Sequence, residues 1–407
     1  MLTKVNRMIL VVGLLMSLAV VPAFAATTIQ VASWWSFESG SSLDEFKAAF
    51  EAANPDIKIE YVQIPSSEYY TKTLTMIAGG TPPDVCMLGM DKLGSWVPRG
   101  ALQELTPYIE KAGFDLDIFF PALQDAIKYD GGIYAMPRDA TTSVVAYNKT
   151  LFDEAGVAYP EPGWTREDFL NTARALIQKD GDQTTVYGYA FDTFSDGFID
   201  WLYLNNASVI NPEANGSGLH LQNAVEVLNF LQGMVKEGIA PAPALTKTFS
   251  RASGAFNSGR AAMYVTTVGW ANNFCKNEEL DWDVVPLPLW DADSEPATRL
   301  WVNYWTIPKG AKNADAAFRF LAFLAGEEGQ RIVGETSMGI PGIPEVAYGP
   351  AFAEKPGKPE HKAYFLDVMD GARPFPLFPQ SDQFYDAMTR EFDTMWSVER
   401  SVEEATA

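Results

Sequence analysis

The sequence predicts an α/β protein of two lobes, and three observations carry that prediction. Residues 28–88 alternate strand, helix, strand, helix, strand, the order that builds a parallel sheet through right-handed crossovers. A second region of mixed helix and strand patterning begins after residue 138. About 380 of the 407 residues remain once an export segment is set aside, too many for one ordinary core and suited to two bodies of roughly 150 to 200 residues. Two such bodies enclose a cleft, and in open α/β sheets ligands sit beyond the carboxyl ends of the strands.

Each element has a local reason. Residues 28–34 read as a strand, and Ser42 lies three ahead of Glu45 before Leu43, Phe46, Phe50 and Ala53 at helical spacing, which predicts a capped amphipathic helix. Asn54-Pro55 ends it. Ile57, Ile59 and Tyr61 alternate as a strand, Tyr70, Leu74 and Ile77 mark a second helical face, and 85–88 is a short buried strand. The carboxyl ends of these strands are Trp34-Trp35-Ser36, Ile64-Pro65 and Met87-Leu88-Gly89. Asp130-Gly131-Gly132 makes a turn, and the stretches 133–137 and 143–147 read as a crossing between lobes. Thr165 caps a helix over 165–178, with Asp168 at its third position and Trp164 stapled onto Phe169. Ala224, Val227, Leu228, Leu231 and Met234 mark another helix that stops at Gly238. Residues 260–266 and 301–308 read as extended, and two long helices, 314–333 and 384–398, close the chain.

The first 25 residues point to export. Lys4 and Arg7 precede an apolar run over 8–21, and Ala23-Phe24-Ala25 supplies small residues for cleavage after Ala25. The run falls short of the about 20 residues a membrane span needs, and position 26 is alanine where a lipoprotein would carry cysteine. A protein released into a periplasm is expected. Its formal charge of −22 repels phosphate backbones and anionic lipid heads, which disfavours nucleic acid and membrane surfaces as partners. Cys86 and Cys275 are the two cysteines, and their pairing is open, because a disulfide needs Cα atoms within about 7 Å.

The order of Trp34-Trp35, Gly79-Gly80-Thr81-Pro82-Pro83-Asp84-Val85, Ala135-Met136-Pro137-Arg138-Asp139, Tyr147-Asn148-Lys149-Thr150-Leu151-Phe152, Trp164-Thr165, Gly259-Arg260-Ala261-Ala262-Met263, Gly269-Trp270 and Ser337-Met338-Gly339-Ile340-Pro341 resembles family 1 extracellular solute-binding proteins, the sugar receptors of ABC importers. The resemblance implies a periplasmic binding protein-like fold: two α/β lobes of discontinuous segments joined by a multi-strand hinge. It places the crossings near Arg138, Val265 and Lys309, so that 26–137 and 265–309 form one lobe and 138–264 and 310–407 the other. It further implies a monomer that passes a mono- or oligosaccharide, a polyol or a sugar phosphate to membrane permease subunits, with no cofactor or metal of its own. The chain has no GxxxxGK[ST] phosphate loop, in agreement with ATPases on separate subunits.

A sugar presents an apolar CH face rimmed by hydroxyls, so its pocket needs flat aromatic platforms among paired donors and acceptors. The chain has 11 Trp and 16 Tyr. Trp34 and Trp35 follow a strand, and alternation should turn one of them into the cleft. Trp270, Trp201, and the cluster Trp301, Tyr304 and Trp305 at the last crossing are the other platforms expected. Asp84, Arg138, Asp139, Asp192, Arg373 and Glu38 are the polar groups expected to meet hydroxyls. Trp164 reads as structural.

Three other functions compete. A secreted glycoside hydrolase would need two carboxyl groups about 5 to 9.5 Å apart, one with a raised pKa. A metal receptor would need clustered ligands, whereas His220 and His361 stand alone. A polyamine receptor would use acidic residues with the same aromatics. Serine and thiol-redox chemistry find no G-x-S-x-G and no C-x-x-C.

Overall fold

The computed structural model describes residues 26–193, 197–213 and 215–407; the expected signal peptide lies outside them. The strands are β1 Thr27–Ser33, β2 Ile57–Gln63, β3 Val85–Gly89, β4 Lys128–Tyr129, β5 Gly132–Ile133, β6 Met136–Thr141, β7 Val144–Asn148, β8 Gln178–Asp180, β9 Gln183–Ala190, β10 Ala261–Thr266, β11 Trp282–Val285, β12 Thr298–Thr306 and β13 Ala372–Pro374. They form two open sheets and one small hairpin. The first sheet runs β13-β12-β3-β1-β2 with β6 also on β12, and the second runs β11-β7-β10-β9-β8. The expected two-lobed α/β architecture is present.

In the first lobe β1 pairs parallel with β2 over its whole length and with β3 at Val31↔Val85 and Ala32↔Cys86. The helix Ser42–Ala53 joins β1 to β2 and buries Leu43, Phe46 and Phe50. Its cap lies one residue earlier than the spacing suggests: the Ser41 hydroxyl accepts the Asp44 N–H at 3.3 Å, and the Asp44 carboxylate accepts the Gly40 N–H at 3.1 Å. Gly40 stands at φ 81, which a glycine adopts without strain, and that turn sets where the helix starts. In the second lobe the capping box at Thr165 and Asp168 forms as read, and Trp164 meets Phe169 edge-on at 5.5 Å. This helix ends at Ala175, and Gln178 begins β8 instead. The expected helix over 314–333 is two, Ala314–Ala325 and Glu327–Glu335, broken where Gly326 takes extended backbone.

The chain changes lobes at other positions than the expected 138, 265 and 309. β6 belongs to the first sheet through β12, and β7 opens the second, so the first crossing is the two residues Thr142 and Ser143. β10, the helix Val268–Phe274 and β11 stay with the second lobe, since β11 pairs with β7; the return falls between Val285 and Thr298. After β12 the helix Ala314–Ala325 stays with the first lobe, where Phe320 packs on Phe50 at 4.9 Å, whereas Lys358 and His361 lie against Asp281 and Asp283 of the second. The terminal helix Ser381–Trp396 touches both: the Ser381 hydroxyl donates to the Asp91 carbonyl at 3.2 Å, and Phe392 lies 5.8 Å from Phe198. Periodicity marks a strand but not its partner, and the partner assigns the lobe.

Buried hydrogen bonds lock the crossing strands together. Thr298 Oγ1 accepts the Ser143 N–H at 2.9 Å and donates to the Ser143 carbonyl at 3.0 Å. The Arg299 N–H donates to Asp200 Oδ1 at 2.8 Å, and its Nε to Ser143 Oγ at 3.2 Å.

Both cysteines are free thiols, because they lie in different lobes. Cys86 is buried in β3 and Cys275 is exposed beyond the helix Val268–Phe274. Burial pushes the Cys86 thiol up to about 12, far from the reactive thiolate. A thiol reagent such as Ellman's should therefore titrate one equivalent in the native protein and two in guanidinium; a native count of zero with none gained on unfolding would mean a disulfide.

Candidate functional site

The site is built from the carboxyl end of each sheet. In the first lobe that edge carries the residues after β1, the end of β3, the end of β6 and, because β12 runs antiparallel to both β3 and β6, its amino-terminal half. β1 stops at Ser33, whose hydroxyl accepts the Trp35 N–H at 2.9 Å and bends the chain. Trp34 and Trp35 thus do not alternate as strand residues, and both remain half-buried. Trp34 packs edge-on against Tyr69 at 4.8 Å and beside Tyr70 at 5.9 Å. Trp35 lies over the Arg138 guanidinium, 4.2 Å from ring centre to Cζ.

Arg138 and Asp139 are each 1% exposed. Arg138 Nε donates to Asp139 Oδ2 at 2.5 Å, Asn303 Nδ2 donates to Asp139 Oδ1 at 2.7 Å, and Trp301 Nε1 donates to Asn303 Oδ1 at 3.2 Å. Burial raises the Asp139 carboxyl, while the Arg138 charge and the Asn303 hydrogen bond pull it back down. A continuous polar chain therefore runs from one tryptophan to the other. Its members sit under the rings and hold them. Asn303 was missed in the sequence, although it shares a strand face with Trp301 two residues away.

The second lobe repeats the arrangement beyond β9 and β10. Asp192, 5% exposed, accepts the Ala252 N–H at 3.1 Å and the Tyr264 hydroxyl at 3.3 Å, and lies 3.6 Å from Arg251 Nη2. The Arg251 guanidinium in turn lies 4.7 Å from the ring centre of Trp270, which is half-buried. Each lobe thus presents an indole on an arginine backed by a buried aspartate. Arg251 carries no local signal, and only the fold brings it to Trp270, 19 positions away.

The two clusters face the same junction. Thr142 and Ser143 alone separate β6 from β7, and Val144 pairs with Thr266 at the end of β10, four residues before Trp270. A loop closes the distance: Ile340 bonds both ways with Ala140 at 2.9 Å, and the Ser337 carbonyl accepts from Asn272 Nδ2. Gly339 packs so tightly that a Cβ there would stand 2.7 Å from the Asp139 Cβ.

Other expected residues are taken up elsewhere. Trp201 is wholly buried and donates to the Tyr189 hydroxyl at 3.1 Å. Tyr304 and Trp305 are also wholly buried: the Tyr304 hydroxyl donates to the Ala126 carbonyl and Trp305 packs on Phe320 at 6.4 Å, while the extra residue at the register shift beside them is Arg138 of β6. Asp84 sits at the opposite, amino-terminal end of β3, where it accepts the Gln30 N–H at 3.0 Å and the Asn313 N–H at 2.9 Å. Arg373 donates to Asn206 Oδ1 at 2.8 Å and pairs in register with Arg299 of β12. Glu38 is exposed in the turn after Trp35.

The profile of a family described as bacterial extracellular solute-binding protein matches residues 34–331. The galactooligosaccharide-binding protein of Bacillus subtilis is 22% identical over 363 residues, covering 86% of this chain and 81% of its own length. The mannitol-binding protein of Pseudomonas aeruginosa is 24% identical and covers 77% of this chain and 72% of its own. An ABC substrate-binding protein from Listeria monocytogenes, solved in complex with cycloalternan, superimposes with a TM-score of 0.83 at 27% identity over 94% of this chain and 96% of that one.

The position of Asp84 separates stability from binding. Asp84→Ala removes the charged acceptor of the part-buried Gln30 and Asn313 N–H groups and should cost about 1–3 kcal/mol in urea unfolding. The near-ultraviolet circular dichroism of the tryptophans should stay unchanged, and a changed spectrum would place Asp84 in the site after all.

Proposed function

Because the chain belongs to the bacterial extracellular solute-binding protein family, we propose that it captures a carbohydrate between its lobes by hinge closure and delivers it to the permease of an ABC importer. The observation that carries this reading is the pair of indole–arginine–aspartate clusters, one on each side of a two-residue crossing. A guanidinium behind each ring fixes its plane, and a fixed plane stacks on the CH face of a pyranose at little entropic cost. Ligand first held by one lobe gains the second ring only when the lobes close, so closure is favoured by that added contact alone. The permease then reads the closed form of a monomer released into the periplasm.

The number of platforms favours an oligosaccharide over a small polyol. Trp34, Trp35 and Trp301 share the edge of the first lobe, and an open-chain polyol has no ring face to lay on them. A polyamine fares worse, since the cations Arg138 and Arg251 lie directly behind the rings. Capture proceeds without turnover in this reading. Asp139 and Asp192 are each buried beside an arginine, and a general acid needs a carboxyl group within reach of the leaving oxygen.

A thermal-shift and calorimetric panel of neutral oligosaccharides, mannitol and spermidine tests the ligand class. At least one oligosaccharide should raise the melting temperature and be recovered intact by chromatography; a response to spermidine alone, or a cleaved product, would overturn the reading. Trp270→Ala should weaken the responding sugar by about 2 kcal/mol or more, the usual loss for a buried aromatic anchor. An unchanged isotherm would remove Trp270 from the site.

A further inference from the structure

Behind the helix that carries Trp270 lies a cavity of about 480 Å³ that carbohydrate capture leaves unused. Val268, Ala271 and Cys275 line one wall. Their spacing of three and four puts them on one helix face, and Trp270, two residues from Val268, points elsewhere. The facing wall brings Lys355, Lys358 and Lys362 to the same space, where Glu278 is the one carboxylate among the lining residues. A local excess of positive charge thus persists in a chain whose formal charge is −22.

Two of these ammonium groups are short of counter-charge. Lys358 is paired with Asp281 at 3.1 Å. Lys355 donates to the Glu335 carbonyl and to Ser337 Oγ, the latter at 3.0 Å, and Lys362 donates to the Lys355 carbonyl at 2.8 Å. Among the described residues neither Lys355 nor Lys362 forms an ion pair. Both are half-buried, and cations withdrawn from water need compensation. Burial, with Lys355 beside it, pushes Lys362 below the usual lysine range. Phe352 and Phe365 add apolar surface to the same cavity.

We propose that this cavity is a second binding site, for a small organic anion whose carboxylate or phosphate is held by Lys355 and Lys362 while Val268, Phe352 and Phe365 receive its apolar body. Calorimetry with phenyl phosphate, benzoate and phenol tests it on the full protein, with no sugar present, so that its outcome is independent of the carbohydrate panel. Phenyl phosphate or benzoate should bind with a dissociation constant of about 1 mM or tighter, and phenol should not. Lys362→Met and Lys355→Met should each weaken the bound anion tenfold or more, and Lys362→Arg, which keeps the charge, should retain it if the Met variant does not fold. Absence of binding by both anions, equal affinity in the Met variants, or phenol binding as tightly as phenyl phosphate would overturn the proposal.

Discussion

Arg138 and Asp139 meet at 2.5 Å with almost no surface exposed, and the order of the first lobe's candidate edge follows from that contact. Two charges withdrawn from water are tolerable only when they neutralise each other and the remaining lone pairs find donors. Asn303 supplies the second donor and so draws β12 onto the end of β6. The guanidinium is fixed by the carboxylate, and Trp35 lies against it. Removing one partner would strand the other, so the pair acts as a unit that positions the ring.

The same logic recurs in the second lobe with unrelated chain segments. Asp192 follows β9, Arg251 precedes the short helix Ala252–Asn257, and Trp270 follows β10. The similarity is of chemistry and not of sequence order: arginine and aspartate are neighbours in one lobe and 59 positions apart in the other. Both clusters are held at one junction by the crossing at Thr142 and Ser143, where Thr298 occupies the backbone of Ser143 from both sides. Packing at the junction is close enough that Gly339 leaves no room for a side chain beside Asp139.

Much of the fold was legible from local patterning. The strand–helix alternation over residues 28–88, the capping box at Thr165 and Asp168, and the staple of Trp164 on Phe169 depend on residues a few positions apart, and such interactions leave a periodic or motif signature. The candidate site was legible in part: Trp35, Arg138, Asp139, Asp192, Trp270 and Trp301 do gather at the carboxyl-end edges of the two sheets. Trp201, Tyr304 and Trp305 were misplaced because indole and phenol rings serve a core as well as a cleft, and these three meet Tyr189, the Ala126 carbonyl and Phe320 inside the protein. Asp84 was misplaced because a carboxylate that binds backbone N–H groups looks the same in sequence as one that awaits a ligand.

Residue type and spacing along the chain determined the α/β class, the export signature, the acidic character and the family to which the protein belongs, since all of these are carried by neighbours within a turn or a strand. Lobe membership of β11 and of the helices after β12, the free state of both cysteines and the recruitment of Arg251 and Asn303 were decided only in three dimensions. Each of those depends on which distant segment a strand or side chain meets, and periodicity specifies a face without naming the surface opposite it.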